Sequence, residues 1–401
     1  MGRAIRSSGH TEAPATNAGA RGSTRLLGLD VARAIALIGM LAVHIGPTNE
    51  DGLAARLYAL PHGRAAVLFV VIAGVGVSFL AGSRRSQGSP RAKLLWRAGI
   101  LLPAGLALQL LDHGVYVILG QYAVLFAIAI LFVGASDRWL LGSAAAIAVL
   151  GPVVHLLGQA VSPLTFERSA VTLTDAPAAI AHGLVLSGAY PVIVWLAPFL
   201  LGLWLGRRDL RDRDLRVGLV VVGATAAIGA WLASSVLIGV VGEPTSTGDL
   251  RTLAIRGAHS QMPLWIIGST GVAGAILGAA LLGADRFRRA LWPLAATGQL
   301  ALTIYVGHLV ALHLAPDALT TDEAATAYPL LAAFALVLIV GATLWRAVWA
   351  RGPLEAALAA PWTLGAADRA GAPVGARLDA LSALTGDPRA SRPPDDRRER
   401  R

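Results

Sequence analysis

The chain has 401 residues, of which 55% are hydrophobic and 14% are charged, and its formal net charge is +10. A soluble domain usually carries about 25% charged residues, so this composition indicates a protein that crosses a membrane several times. The basic residues lie in short loops between apolar segments, which is a topology signal rather than the footprint of a nucleic-acid partner. The chain has no cysteine, which excludes disulfides, thiol nucleophiles and thiolate metal sites.

Windows of about 20 apolar residues predict ten spanning helices. They cover residues 27–46, 65–82, 92–111, 114–134, 138–157, 179–206, 216–241, 262–283, 290–313 and 328–350. The sixth contains Pro191 and Pro198, which predict a kink or a break. We therefore predict an all-α transmembrane helical bundle over residues 25–351, an interfacial segment over 352–365, and disordered tails over 1–24 and 366–401.

Basic residues are concentrated in alternate loops, and this asymmetry predicts the orientation. Both tails and the even-numbered loops are rich in arginine, whereas the loops around 47–64, 158–178 and 242–261 mix arginines with acidic residues. By the positive-inside rule, both termini are predicted to be cytoplasmic and these three loops external.

Eight of the nine histidines fall on the predicted external side of the membrane. They are His44, His62, His113, His155, His182, His259, His308 and His313, while His10 lies in the tail. A simple preference of histidine for interfaces would place it on both sides, so the one-sided distribution indicates proton transfer or metal binding. No histidine pair has a spacing typical of zinc ligands on a helix, so we expect no metal.

The first apolar segment carries two opposite charges, Asp30 and Arg33. Each charge in lipid costs about 2.5–3.5 kcal/mol, so a membrane helix rarely keeps both without a partner. Their i, i+3 spacing predicts an ion pair near the cytoplasmic face. The alternative is that Asp30 caps the helix and Arg33 snorkels to the interface.

Motifs in both halves of the chain resemble one superfamily, the transmembrane acyltransferases. The N-terminal half resembles bacterial relatives of the catalytic domain of heparan-α-glucosaminide N-acetyltransferase, at Arg25, Leu26, Asp30, Arg33, His62, Phe69 and Gly74. The C-terminal half resembles an uncharacterised bacterial family (YeiB-like), at Gly298–His308 and Gly352–Glu355. Two features depart from the family pattern. Ala34 stands where the family has a glycine after the arginine, and the number of residues between the external histidine and the second helix differs from that in the family.

The resemblance implies a multi-pass enzyme of the bacterial inner (plasma) membrane. It would move an acyl group, expected to be acetyl, from cytoplasmic acyl-CoA to an extracytoplasmic acceptor such as an amino sugar or a cell-envelope glycan. The alternative is a transporter or flippase of a small polar or lipid-linked substrate, which would also need intramembrane charge and broken helices. The predicted partners are the bilayer and the acceptor, and a homodimer is left open.

Such a reaction would place the Asp30–Arg33 pair beside the path of the acyl donor, and it assigns roles to further residues. A polyanionic CoA needs basic residues at the cytoplasmic mouth, and the candidates are Arg84, Arg85, Arg91, Lys93 and Arg97. Candidates for binding the acceptor or the oxyanion are Asp112, His113, Gln121, Tyr122, Tyr190 and Tyr305. The competing explanations are topology for the arginines, interfacial anchoring for the tyrosines and a tight turn for Asp112–His113.

The acceptor also needs a general base with a pKa near the working pH, which suits an external histidine. The resemblance favours His62, whereas a rigid position on a helix favours His44. His308 could orient either ring or bind the acceptor.

Overall fold

The computed structural model describes residues 25–47, 52–82, 88–162, 164–166, 169–246 and 248–369, with side chains to residue 362. Within these ranges the chain is helical and contains no β-strand, which confirms the predicted all-α class. The helices are α1 (Leu27–Ile45), α2 (Leu53–Tyr58), α3 (Arg64–Gly82), α4 (Pro90–Leu108), α5 (Leu119–Phe132), α6 (Asp137–Val161), α7 (Pro177–Val185), α8 (Val192–Leu205), α9 (Arg213–Val241), α10 (Pro263–Arg286), α11 (Trp292–Gln299), α12 (Ala301–Leu314), α13 (Pro316–Leu319), α14 (Ala324–Val348) and α15 (Pro353–Arg369), with a 3₁₀ helix at Leu250–Ala254.

Six helical stretches of the described chain are long and apolar enough to cross a membrane. They are Leu27–Ile45, Arg64–Gly82, Asp137–Val161, Arg213–Val241, Pro263–Arg286 and Ala324–Trp362. The pair α11 and α12 makes a seventh if it is counted as one span. The chain is therefore a multi-pass membrane protein, while the number of ten spans stays a prediction. The tails predicted to be disordered lie outside the described residues, except that α15 continues to Arg369.

Successive long helices run between two opposite faces of the bundle. Arg25 precedes the start of α1, and this end, which also carries Arg97 and Arg351, is called the arginine-rich face. His44 ends α1 and contacts His308, and this end is called the histidine-rich face. The cytoplasmic position of the arginine-rich face stays a prediction of the positive-inside rule.

Three of the predicted spans are interrupted in the structure. The fourth becomes helical only at Leu119, and the sixth divides into α7 and α8, because Pro191 starts a new helix and Gly188 has a φ of +72°. The ninth, predicted as one helix over 290–313, bends by 76° at Leu300, so that prediction is corrected to two half-helices. The helices α5, α8 and α12 have 14 residues each, which at 1.5 Å per residue is less than the roughly 30 Å of a bilayer core.

Side chains satisfy the non-helical backbone that these breaks create. Gln109 donates from Nε2 to the carbonyl of Val115 at 2.9 Å and accepts at Oε1 from the N–H of Val117 at 2.8 Å. Gln261 donates to the carbonyl of Ala189 at 2.9 Å and accepts from the Trp195 indole at 2.8 Å. Irregular backbone at membrane depth requires such partners, because lipid offers none.

The orientation can be tested with single cysteines in this cysteine-free chain. We expect an impermeant maleimide to label Ser246→Cys in intact cells and to leave Asp212→Cys unlabelled, because these exposed positions belong to opposite faces. Permeabilised cells should label both variants and serve as the control. Labelling of Asp212→Cys alone in intact cells would show that the orientation is the reverse of the predicted one.

Candidate active site

The carboxylate of Asp30 lies in the first turn of α1 and is only 3% exposed. It accepts hydrogen bonds from Arg25 Nε at 2.5 Å, from Arg33 Nη1 at 2.8 Å and from Gln299 Nε2 at 3.1 Å. Asp30 and Arg33 thus form the ion pair that their spacing predicts. Two guanidinium groups and an amide compensate the hydration that a buried carboxylate loses.

The Asp30 network extends to the bend between α11 and α12. Arg33 donates to the carbonyl of Gly298 at 3.3 Å, and Gln299 accepts from Arg346 Nε at 2.7 Å. At Gly298 the two backbones lie so close that a Cβ would overlap the carbonyl oxygen of Asp30. The network therefore joins α1, α11 and α14, and only glycine fits at their contact.

A cavity of about 430 Å³ opens beside this network at the arginine-rich face. Four arginines and one glutamate line its mouth, namely Arg25, Arg33, Arg97, Arg351 and Glu355. Its walls are mainly apolar and include Met40, Phe69, Leu101 and Phe126. Its inner end carries two tyrosines, Tyr122 and Tyr305. A concave, mostly apolar site with a few polar groups is typical of small-ligand pockets.

The basic residues predicted to bind CoA phosphates do not all lie at the cavity. Arg97 lines the cavity, and Arg91 is exposed outside it. Lys93 is buried, with its Nζ 5.6 Å from the centre of the Trp362 ring of α15. Lys93 therefore contributes to holding α15.

Arg84 and Arg85 lie outside the described residues. Sequence analysis did not select Arg351, which lies at the junction of α14 and α15 and lines the mouth. Its position just before the Gly352–Glu355 motif was the available signal. Among the described residues, neither Arg97 nor Arg351 lies within ion-pair distance of a carboxylate.

Glu355 fixes α15 across the mouth of the cavity. Its Oε1 accepts from the backbone N–H groups of Leu302 at 2.8 Å and Thr303 at 3.1 Å, and its Oε2 accepts from the Thr303 hydroxyl at 2.5 Å. These N–H groups belong to the first turn of α12, where a carboxylate also meets the positive end of the helix dipole. The carboxylate of Glu355 therefore stabilises the start of α12, at the bend between α11 and α12.

Tyr122 and Tyr305 bring two hydroxyl groups to the inner end of the cavity. The Tyr305 hydroxyl accepts from the N–H of Ile118 at 3.2 Å, which leaves its own proton available for donation. The Tyr122 hydroxyl is buried and has no hydrogen-bond partner in the described part of the chain. Both tyrosines line the cavity, and the described part of the chain supplies no acceptor for either hydroxyl proton.

A pair of histidines lies on the far side of Tyr305. His44 Nδ1 is 3.0 Å from His308 Nε2, and the two rings stack with an angle of 6° between their planes. The edge of the Tyr305 ring contacts His308, with 5.1 Å between ring centres. Met40 lines the cavity one helical turn before His44, so the pair lies just beyond the inner end.

Hydrogen bonding assigns the protons within this pair. The carbonyl of Ile304 lies 3.3 Å from His308 Nδ1 and can only accept, so neutral His308 carries its proton on Nδ1. His308 Nε2 must then accept, and His44 Nδ1 must donate to it. The Nε2 atom of His44 is left with a lone pair, as a general base requires.

His62 lies in the loop before α3 and is half-buried. Its Nδ1 is 3.2 Å from the carbonyl of Ala59, and its Nε2 is buried without a partner in the described part of the chain. Burial lowers the pKa of His62, so the ring is neutral at neutral pH. His62 therefore also carries a lone pair on Nε2 and stays an alternative base.

The Asp112–His113 segment uses its polar groups to build a turn. His113 Nε2 is 3.0 Å from the carbonyl of Leu108, and its Nδ1 accepts from the N–H of Val115 at 3.1 Å. The carbonyl of Asp112 accepts from His313 Nδ1 at 3.0 Å. Burial lowers the pKa of His113, which favours the neutral ring that this pattern needs. These contacts favour the tight-turn interpretation.

Gln121 and Tyr190 line a separate cavity of only about 20 Å³. The carbonyl groups of Val117 and Ile118 face the Gln121 amide, and the amide can donate to them, at 3.2 and 3.3 Å, when it is oriented with its nitrogen towards them. Tyr190 packs edge-on against Trp195, with 5.0 Å between ring centres. Of the six residues predicted for the acceptor or oxyanion, two, Tyr122 and Tyr305, line the larger cavity.

The fold and the site define a multi-pass membrane protein with a cavity that reaches from an arginine-lined mouth towards paired histidines. The family model for heparan-alpha-glucosaminide N-acetyltransferase, catalytic, matches residues 25–237, which is more than half of the chain. The chain therefore belongs to this family of membrane acetyltransferases, as the N-terminal motif predicts. A second model, protein of unknown function (DUF418), matches residues 215–360. No curated protein sequence matches the chain.

Removal of one partner from the Asp30 network should destabilise the bundle. We expect Asp30→Asn to cost about 3–5 kcal/mol, because it leaves Arg33 without its carboxylate partner in a low-dielectric site. Arg33→Gln should cost less, because Arg25 and Gln299 still bind the carboxylate, and the double variant should unfold at a higher temperature than Asp30→Asn in a thermal melt in detergent. Arg25→Gln is the matched control and should cost under about 1 kcal/mol, since the Arg25 side chain is 61% exposed. An unchanged melting temperature for Asp30→Asn would contradict a structural role for the network.

Proposed function

We propose that the protein transfers an acyl group from acyl-CoA, bound at the arginine-rich face, to a polar acceptor at the histidine-rich face. The observation that carries this proposal is the cavity itself, which opens among arginines and ends at two tyrosine hydroxyls beside the His44–His308 pair. We further propose that the acyl group is acetyl, that the acceptor is an amino sugar or cell-envelope glycan, and that the protein acts in the bacterial plasma membrane.

The mouth of the cavity suits a polyanionic donor. Asp30 neutralises part of the charge of Arg25 and Arg33, which leaves Arg97 and Arg351 for the phosphates of CoA. The apolar walls suit the narrower arm that carries the thioester. A volume of about 430 Å³ accepts that arm while the nucleotide stays at the mouth.

The inner end supplies the groups that acyl transfer needs. His44 Nε2 takes the proton from the acceptor amine or hydroxyl as it attacks the thioester carbonyl. The hydroxyls of Tyr122 and Tyr305 donate to the oxygen that becomes negatively charged. When the tetrahedral intermediate collapses, the carbonyl re-forms, the carbon–sulfur bond breaks, and the departing CoA thiolate takes up the proton that His44 accepted. His308 positions His44 by accepting its Nδ1 proton.

The broken helices favour a second function, that of a transporter or flippase. The helices α5, α8 and α12 have 14 residues each and are too short to cross a bilayer alone, which is also true of the discontinuous helices of many transporters. Such a protein would move its substrate without cleaving a thioester.

A transfer assay separates these two functions. The full-length protein is incubated with labelled acetyl-CoA and a panel of amino sugars and cell-wall glycans. A thiol reagent then reports CoA release without background from the protein's own thiols, because the chain has no cysteine. Acceptor-dependent CoA release supports the enzyme. Uptake of the acceptor into vesicles with no CoA release supports the transporter and overturns the proposal.

Alanine variants identify the base. We expect His44→Ala to lose about 10²–10⁴-fold in transfer rate, because the lone pair on Nε2 is removed. His308→Ala should lose less, and His308→Gln should recover part of the rate, because its side-chain oxygen can accept the Nδ1 proton of His44. His62→Ala is the matched control and should keep most of the rate. A large loss for His62→Ala with normal rates for His44→Ala would assign the base to His62.

A further inference from the structure

A second large cavity lies on the opposite side of α3 from the site and has no part in the chemistry proposed above. It is a lateral groove of about 660 Å³ bounded mainly by α6, α8, α9 and α10. Small and apolar side chains make up nearly all of its lining, including Ala145, Ala148, Gly218 and Ala226. Leu141, Val222 and Ile267 also line it and are exposed on the outer surface, so the groove opens sideways towards the bilayer.

The length of the groove corresponds to one leaflet of a membrane. Along α9 it runs from Asp214, in the first turn at the arginine-rich face, to Ala226. At 1.5 Å per residue this distance is about 18 Å, slightly more than half of a hydrocarbon core of about 30 Å. An occupant with its head at the arginine-rich face would therefore end near the bilayer midplane.

The end of the groove at the arginine-rich face carries unused hydrogen-bond donors. Trp204 lines this end, and its indole Nε1 is buried without a partner in the described part of the chain. The guanidinium of Arg208 stacks on the Trp204 ring at 4.9 Å, and its Nε is also buried without a partner there. Buried donors without partners are rare, so these two N–H groups indicate an acceptor that binds here.

Charges of both signs surround these donors. Arg208 and Arg207 both pair with Asp137, the latter at 3.2 Å, so one positive charge of this trio is uncompensated. The carboxylate of Asp214 is exposed and lines the same end of the groove. A head group that carries only negative charge would meet Asp214 unfavourably, whereas a head group with a phosphate and an ammonium complements both signs.

We propose that the lateral groove binds one ethanolamine glycerophospholipid of the leaflet at the arginine-rich face. One acyl chain fills the groove, the phosphate accepts from Trp204 Nε1 and Arg208 Nε, and the ammonium group pairs with Asp214. This site is independent of the acyl-transfer site.

Lipid retention by the full-length protein tests this proposal. The protein is reconstituted in vesicles with equal amounts of phosphatidylethanolamine, phosphatidylglycerol and phosphatidylcholine, extracted in mild detergent and measured by native mass spectrometry. We expect one phosphatidylethanolamine per chain to be retained in preference to the other two. Equal retention of all three lipids, or a preference for phosphatidylglycerol, would overturn the assignment.

Variants in the groove locate the lipid. A side chain at Gly218 meets open space, so Gly218→Phe should fill the groove without disturbing the fold and lower the bound-lipid ratio at least about tenfold. Gly229→Phe is the matched control, because Gly229 also meets open space on α9 but lies beyond the groove. Trp204→Phe should weaken retention, because it removes the indole N–H while an aromatic ring stays beside Arg208. If Gly218→Phe is poorly folded, Ala145→Phe fills the same groove from α6.

Retention of phosphatidylethanolamine by Gly218→Phe or Ala145→Phe at the wild-type ratio would place the lipid elsewhere. Loss of a dimer in Gly218→Phe, with no change in bound lipid, would make the groove an interface between two copies and also contradict the proposal.

Discussion

The structure depends on one buried carboxylate. Asp30 is almost fully removed from solvent on a membrane helix, where an unpaired charge would cost several kcal/mol. Arg25, Arg33 and Gln299 compensate it, and Gln299 belongs to the bend between α11 and α12. The carboxylate therefore determines how α1 meets the C-terminal half of the chain, 269 residues away along the sequence.

The bend that Asp30 helps to hold is also what makes the cavity. Because α12 starts anew after the bend, its first turn presents N–H groups that have no partner within the helix, and Glu355 binds them and brings α15 across the mouth. The same half-helix carries Tyr305 and His308, on consecutive turns, between the cavity and the histidine-rich face. The bend between α11 and α12 thus determines the positions of the cavity mouth, of its inner end and of the histidine pair.

Local patterns in the sequence predicted much of this arrangement. Apolar windows gave the helical class and the location of the bundle, the spacing of Asp30 and Arg33 predicted their ion pair, and Pro191 predicted the break before α8. The bend at Leu300 was not predicted, because it depends on contacts of Gln299 and Glu355 with distant helices rather than on a local proline.

Pairs that are distant in sequence account for most of what sequence analysis could not supply. His44 and His308 are 264 residues apart, so no spacing rule brings them together. Arg351 is the last residue of the predicted bundle, and only the fold brings it to the same cavity as Arg97. Gln109 and Gln261 belong to no sequence motif. Their role is to form hydrogen bonds with backbone groups where the helices are interrupted, which only the structure reveals.

The most direct test of the account is equilibrium binding of CoA to the full-length chain in nanodiscs. The central claim is that the arginine-lined cavity is the donor site, so wild-type protein should bind CoA saturably and more weakly as salt is raised. The Arg97→Ala/Arg351→Ala double variant should lose this binding, whereas Arg91→Ala, an exposed arginine outside the cavity, should keep it. No saturable binding by the wild type, or equal binding by the double variant and the Arg91→Ala control, would contradict the account.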